Sequence, residues 1–162
     1  MDKKDRDVLF SHKSDSWSTP QWLFDKLNSR CNFTLDPASD DTNAKCQKHY
    51  TLNEDGLSQD WKGETVFVNP PYSKTYDWVK KAHTEAKDNG VTTVMLLPAR
   101  VDSRWFHEFC LDPILVKSLT FIKGRLKFGS SKNSAPFPSI IVEFGSPNKT
   151  PTQPEIISMK NK

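Results

Sequence analysis

Asn69, Pro70, Pro71 and Tyr72 are the residues of this chain whose types and spacing most clearly permit chemistry. They follow the apolar run Thr65-Val66-Phe67-Val68, which reads as a short buried strand. Two successive prolines cannot extend a ladder, so the chain must leave the sheet at Asn69. Each proline also pushes the residue before it toward extended dihedrals. That fixes the direction of the Asn69 side chain and of the Pro70 carbonyl. The product is a stiff corner carrying two hydrogen-bond acceptors and a flat ring. A planar ring bearing an amino group could use all three. The competing reading is a proline-rich strand exit with a packed tyrosine.

The elements that position this corner follow from the surrounding pattern. Ser18-Thr19-Pro20 reads as a helix start, a hydroxyl cap followed by proline at the first helical position. The helix carries Trp22, Leu23, Phe24 and Leu27 toward a core and is expected to end near Asn28-Ser29. Phe33 to Asp36 reads as a short strand stopped by Pro37, and His49 to Leu52 as a second. Ser73 is placed to cap a helix running to about Asp88, with Trp78, Val79, Ala82 and Ala86 on its apolar side and Asn89-Gly90 ending it. Val91 to Leu97 is the strongest strand, closed by Pro98. Ser103 is expected to cap a short helix holding Trp105, Phe106 and Phe109, and strands are expected at Leu115 to Ile122 and Ser139 to Phe144. Strands alternating with helices imply an α/β layer fold with a mostly parallel sheet. Ligands in such folds sit beyond the carboxyl ends of the strands. Asp36-Pro37, Asn69 to Tyr72, and Pro98-Ala99-Arg100 would then meet at one crevice.

At 162 residues the chain is expected to form one domain over residues 14–145, between a flexible start (1–13) and a flexible tail (146–162). No apolar run nears the ~20 residues of a membrane span, and the charged opening shows no secretory leader. Cys31, Cys46 and Cys110 are too scattered for a disulfide framework and read as reduced thiols of a cytoplasmic protein. His12, His49, His83 and His107 form no ligand pattern, so no metal is expected. The formal charge of +3 permits nucleic-acid binding without requiring it. Lys117, Lys123, Arg125, Lys127 and Lys132 crowd one late segment. Asp36 and Asp60 could accept hydrogen bonds from a cofactor, and Trp61 could cover a flat heterocycle. Solvated turns and a core tryptophan are the competing reading. Phosphate-binding glycine motifs are missing, which argues against a dinucleotide or a nucleoside triphosphate.

These segments, in this order, resemble the bacteriophage DNA adenine methyltransferases, the Dam-type enzymes that use S-adenosylmethionine. The resemblance runs from about Ser14 to Phe144. It is carried by Trp17-Ser18-Thr19-Pro20, Leu35-Asp36-Pro37-Ala38-Ser39, Asn43-Ala44-Lys45-Cys46, Asp55-Gly56-Leu57, Asp60-Trp61, Val66 through Ser73, Leu96 through Arg100, Trp105-Phe106-His107, Gly124 through Phe128, and Ala135 through Ser139.

The resemblance implies a compact, Rossmann-like class I methyltransferase fold with helices on both sheet faces. It implies methyl transfer from S-adenosylmethionine to the 6-amino group of adenine in double-stranded DNA, after the base is flipped from the duplex. Asn69, Pro70, Pro71 and Tyr72 would be catalytic: Asn69 and the Pro70 carbonyl accept from the amine, and Tyr72 stacks on the base. Trp17, Thr19, Pro20, Asp36, Pro37, Ala38, Asp55, Asp60 and Trp61 would hold the cofactor, although the usual glycines after Asp36 are replaced here. Arg125, Lys127 and Lys132 would meet phosphates, with Phe128 and Phe137 as stacking or wedge residues. A surface hairpin is the competing reading of that segment. Methylation of RNA adenine or protein glutamine is an alternative activity, and a non-catalytic nucleic-acid-binding module a second. A role in marking DNA against restriction follows from the phage resemblance alone.

Overall fold

The computed structural model describes residues 17–151 and the backbone of 155–158. The expected flexible start lies outside the described residues. Among the described residues five strands form one sheet: β1 (Thr65–Val68), β2 (Thr92–Pro98), β3 (Val116–Lys123), β4 (Ser139–Phe144) and β5 (Glu155–Ser158), in the spatial order β1-β2-β4-β3-β5. β1 runs parallel to β2, with Thr65 opposite Thr92 and Val68 opposite Met95. β4 is antiparallel to both β2 and β3, and β5 is parallel to β3. Four of these five strands therefore share one direction and β4 is reversed, which makes a mostly parallel but mixed sheet.

Two helices cover opposite faces. The alternation of a strand sends Val66 and Val68 one way and Phe67 the other. Val66, Val68, Met95, Leu97 and Val142 pack under helix α2 (Thr75–Asn89), which buries Trp78, Val79, Ala82 and Ala86. Those four positions recur at helical spacing and form one stripe. Phe67, Val94, Leu96 and Ile141 pack under helix α1 (Gln21–Cys31), which buries Leu23, Phe24 and Leu27. Full burial of a side chain of this size stabilises by about 1.5–3 kcal/mol, so both helices are held chiefly by the sheet.

Several local expectations are revised. Thr19 does not cap α1: Pro20 occupies the cap position with ψ 131°, and the Thr19 hydroxyl is used elsewhere. α1 runs past Ser29 to Cys31, because Asn32 takes the left-handed conformation (φ 52°) and its N–H closes on the Asn28 carbonyl. Ser73 does not cap α2. It lies within a 3-10 turn (Tyr72–Lys74), and the Thr75 hydroxyl closes that turn on the Tyr72 carbonyl at 2.9 Å. Gly90 ends α2 at φ 66°, as a left-handed terminus requires. The strands expected at Phe33–Asp36 and His49–Leu52 reduce to isolated bridges, Leu35 with Val66 and Asp36 with His49. The Ser103 hydroxyl does accept from the Phe106 N–H, at 3.3 Å. The stretch after Gly145, expected to be a loose tail, contributes the edge strand β5. Among the described residues no helix is long and apolar enough to cross a membrane.

β1 ends, β3 ends and β4 begins at the same edge of the sheet. The connection from Gly124 to Pro138 therefore hangs beside the Asn69 corner. Its Gly129 N–H donates to the Ser18 carbonyl at 2.8 Å, pinning the connection to the segment that leads into α1.

Candidate active site

The chain turns off β1 at Asn69, and what surrounds the amide decides its orientation. Nδ2 donates to the Thr19 hydroxyl at 3.0 Å and to the Trp17 carbonyl. A carbonyl can only accept, so the nitrogen of the amide must face Trp17. That leaves Oδ1 on the other side, where it is buried and has no hydrogen-bond partner. A buried amide oxygen without a donor costs about 1–3 kcal/mol. Any donor brought to Oδ1 would recover that cost.

Asn69 forms part of the wall of a cavity of about 440 Å3. Pro70, Pro71 and Phe67 contribute from the same strand, and Trp17, Ser18 and Thr19 from the segment before α1. Asp36, Pro37 and Ala38 line it from the adjacent segment, and Asp55 and Gly56 from the turn that follows. Two of the three expected strand ends thus meet. The third does not: the Ala99 N–H donates to the Pro138 carbonyl at 2.8 Å, and Pro98 to Arg100 stand outside the cavity.

Asp36 is 3% exposed. Burial pushes its carboxyl up, and the backbone N–H groups of Lys45 (2.9 Å) and Ala38 (3.4 Å) pull it back by bonding to the ionised form. These donors also fix the direction of both carboxylate oxygens. Asp55 adopts φ 54°, and its Oδ1 accepts from the Leu57 N–H at 3.2 Å. Gly56 is required beside it, since a Cβ there would lie 2.0 Å from the Pro37 carbonyl oxygen.

Asp60 and Trp61 lie outside the cavity. Trp61 is fully buried, its Nε1 donates to the Gly56 carbonyl at 3.0 Å, and its ring stacks on Trp78 with centroids 6.3 Å apart. It braces the cavity wall from behind instead of covering a ligand, because its indole N–H and its stacking partner both draw it inward. Tyr72 is also absent from the lining. Its ring meets Phe137 edge-on at 5.4 Å, and burial pushes its phenol up.

The late basic segment divides in two. Lys123, Arg125 and Lys127 are exposed at alternating positions, whereas Leu126 and Phe128 are buried. Lys132 is exposed in the following turn. Phe128 and Phe137 are 4% and 7% exposed and pack on Trp17 at 5.5 and 5.4 Å. They are core residues in this conformation, not free wedges; the strand-like alternation that exposes the cations turns Phe128 inward.

Sequence reasoning missed Tyr50, Thr51, Leu52, Lys74 and Trp78 as cavity residues. Tyr50 to Leu52 are brought there by the long-range bridge of Asp36 to His49, which has no local signature. Leu52 is 89% exposed at the cavity's margin. Burial raises the Cys46 and Cys110 thiols to about 12, so they are protonated at neutral pH and poor nucleophiles. Among the described residues no group of His, Cys, Asp and Glu is placed to share a metal ion.

Residues 8–162 match the model of the family described as DNA N-6-adenine-methyltransferase (Dam). The chain is 33% identical over 99 residues to the DNA N-6-adenine-methyltransferase of Haemophilus phage HP1 (strain HP1c1), an alignment covering 60% of this chain and 57% of that protein. It is 38% identical over 96 residues to the DNA N-6-adenine-methyltransferase of Escherichia phage T1, covering 58% and 40%. The chain thus spans about half the length of these curated relatives. Among solved structures, a Listeria monocytogenes protein described as a class I S-adenosylmethionine-dependent methyltransferase superposes with a TM-score of 0.46 at 12% identity, covering 71% of this chain and 43% of that one.

Proposed function

Since the chain belongs to the DNA N-6-adenine-methyltransferase (Dam) family, whose model matches residues 8–162, we propose that it transfers a methyl group from S-adenosylmethionine to the 6-amino group of adenine in duplex DNA. The observation that carries this reading is the Asn69 Oδ1, buried in the cavity wall with no partner. The cavity fits the cofactor by volume, since pockets for small ligands run from about 300 to 1,000 Å3. It also fits by chemistry: Asp36 and Asp55 offer carboxylates to hydroxyl, amino and cationic groups, and Trp17, Tyr50 and Trp78 offer flat apolar walls.

S-adenosylmethionine would supply an electrophilic methyl group and be left as S-adenosylhomocysteine, and the methylated nitrogen would lose its surplus proton to water. Asn69 accepts from one hydrogen of the adenine amine and the Pro70 carbonyl from the other. The amine lone pair is delocalised into the purine ring, and two acceptors on its hydrogens favour a pyramidal nitrogen with the pair available. Fixed acceptors cost no reorganisation during reaction, which is where preorganised polar groups gain most of their effect. Extruding the base costs a few kcal/mol, and stacking on Tyr72 offsets about 1–3 kcal/mol of it. Lys123 at the end of β3, with Arg125 and Lys127 in the connection beside the site, all exposed at alternating positions, meet the phosphates. Lys132 adds a fourth cation in the same connection.

The test is incubation of the full chain with tritiated S-adenosylmethionine and methyl-free duplex DNA, followed by nucleoside analysis. Labelled 6-methyladenine is the expected product. Its absence from every duplex tried, or preferential labelling of RNA or protein offered in the same assay, overturns the proposal.

A further inference from the structure

We propose that Thr19 is a positioning residue whose hydroxyl locks the Asn69 amide so that it presents only an acceptor to the reacting amine. This rests on the reading of the site given above.

The two ends of an asparagine amide have nearly the same shape, so neighbours alone decide which end points where. Asn69 has two N–H donors. One meets the Trp17 carbonyl and the other the Thr19 hydroxyl, 3.0 Å away. Both hydrogens are then engaged, and nothing on the amide remains to donate into the cavity. If the amide rotated by half a turn, Oδ1 would face the Trp17 carbonyl oxygen, and two acceptors would repel. The Trp17 carbonyl thus chooses the orientation, and Thr19 holds the second hydrogen and removes the remaining wobble. Thr19 is 5% exposed, so water competes little for either partner. The family resemblance gives Thr19 a different task, touching the cofactor. The two tasks make opposite predictions, because a positioning residue acts on turnover and a cofactor-touching residue acts on affinity.

The decisive comparison uses the full chain carrying Thr19→Val, which keeps shape and removes the acceptor, and Thr19→Ser, which keeps the acceptor. For Thr19→Val the expected turnover falls about 5–10-fold, the scale of a single hydrogen bond. Affinity for S-adenosylhomocysteine by calorimetry falls by a smaller factor than turnover, because valine keeps the wall that Thr19 gives the cavity and removes only the acceptor that holds Asn69. The Asn69 side-chain NH2 signals in a 15N NMR spectrum of the free protein shift or broaden in Thr19→Val and return in Thr19→Ser, as does turnover. Unchanged turnover in Thr19→Val overturns the inference. So does a large loss of S-adenosylhomocysteine affinity at parental turnover, or failure of Thr19→Ser to restore the signals. A parent chain without methyl transfer would overturn the functional reading instead, and the NMR comparison would still decide the positioning.

Discussion

The Tyr72 ring meets Phe137 edge-on, with centroids 5.4 Å apart and planes at 76°. Phe137 in turn packs on Trp17 and on Phe128. Tyr72 is thereby joined to the basic connection and to the segment that orients Asn69. Its hydroxyl is buried without a partner.

An orphaned hydroxyl destabilises the fold that buries it. Tyr72→Phe deletes the group and keeps the ring, so the variant should gain about 0.5–1 kcal/mol. In a chain of this size that raises Tm by roughly 2–4 °C per kcal/mol. Urea unfolding and calorimetry read the change, and a lower midpoint would show that the phenol has a partner in solution.

Asn69→Ala removes the acceptor while leaving the two prolines to hold the corner. Turnover should fall by about 100-fold or more, the effect of deleting one preorganised polar group in a reacting site. Binding of S-adenosylhomocysteine should hardly change. Single-turnover kinetics beside calorimetry separate these effects, and near-parental turnover would refute the role of the amide.

Gly56→Ala places a Cβ 2.0 Å from the Pro37 carbonyl oxygen and 2.9 Å from the Trp78 ring. Backbone must move to admit it, at a cost of about 1–3 kcal/mol. The displaced walls carry Asp55 and Pro37, so S-adenosylhomocysteine should bind more weakly as well. Parental stability and affinity together would contradict the close approach.

Charge on the connection is read by salt. Replacing Lys123, Arg125 and Lys127 together by glutamine should flatten the dependence of duplex affinity on salt by roughly 0.9 in log–log slope for each phosphate that is no longer neutralised. Fluorescence anisotropy between about 50 and 200 mM salt gives the slope. An unaltered slope would move the DNA surface elsewhere.

Residues alone reveal whatever local chemistry dictates. Pro70-Pro71 ends β1 where expected, the strand expected at Val91 to Leu97 is found one residue later at each end, with Pro98 paired to Ser139 instead of closing it, and Trp78, Val79, Ala82 and Ala86 face the sheet. The site's polar logic is less legible. Thr19 carries the signature of a helix cap, yet its hydroxyl bonds to a residue 50 positions away. No local pattern encodes such a pairing. Trp61 reads as a cover for a ligand because an indole suits either packing or stacking, and the Gly56 carbonyl decides between them. Phe128 and Phe137 sit near lysines in the sequence, which hides that Trp17 claims both rings. β5 is only four residues long and lies in chain otherwise rich in Pro, Lys and Thr, so the two β-branched residues Ile156 and Ile157 are too short a run to stand out, and pairing with β3 completes the strand.

Trp17 and Ser18 serve the site through main-chain oxygens, one toward Asn69 and one toward Gly129. Alanine scanning leaves a peptide oxygen in place, so it would undercount what this short thread does. Deleting a single residue between Trp17 and Pro20 would instead exchange which oxygen meets which donor. Tolerance of substitution at Ser18, whose part is played by its peptide oxygen, alongside intolerance of shortening is the mutational profile this thread should leave.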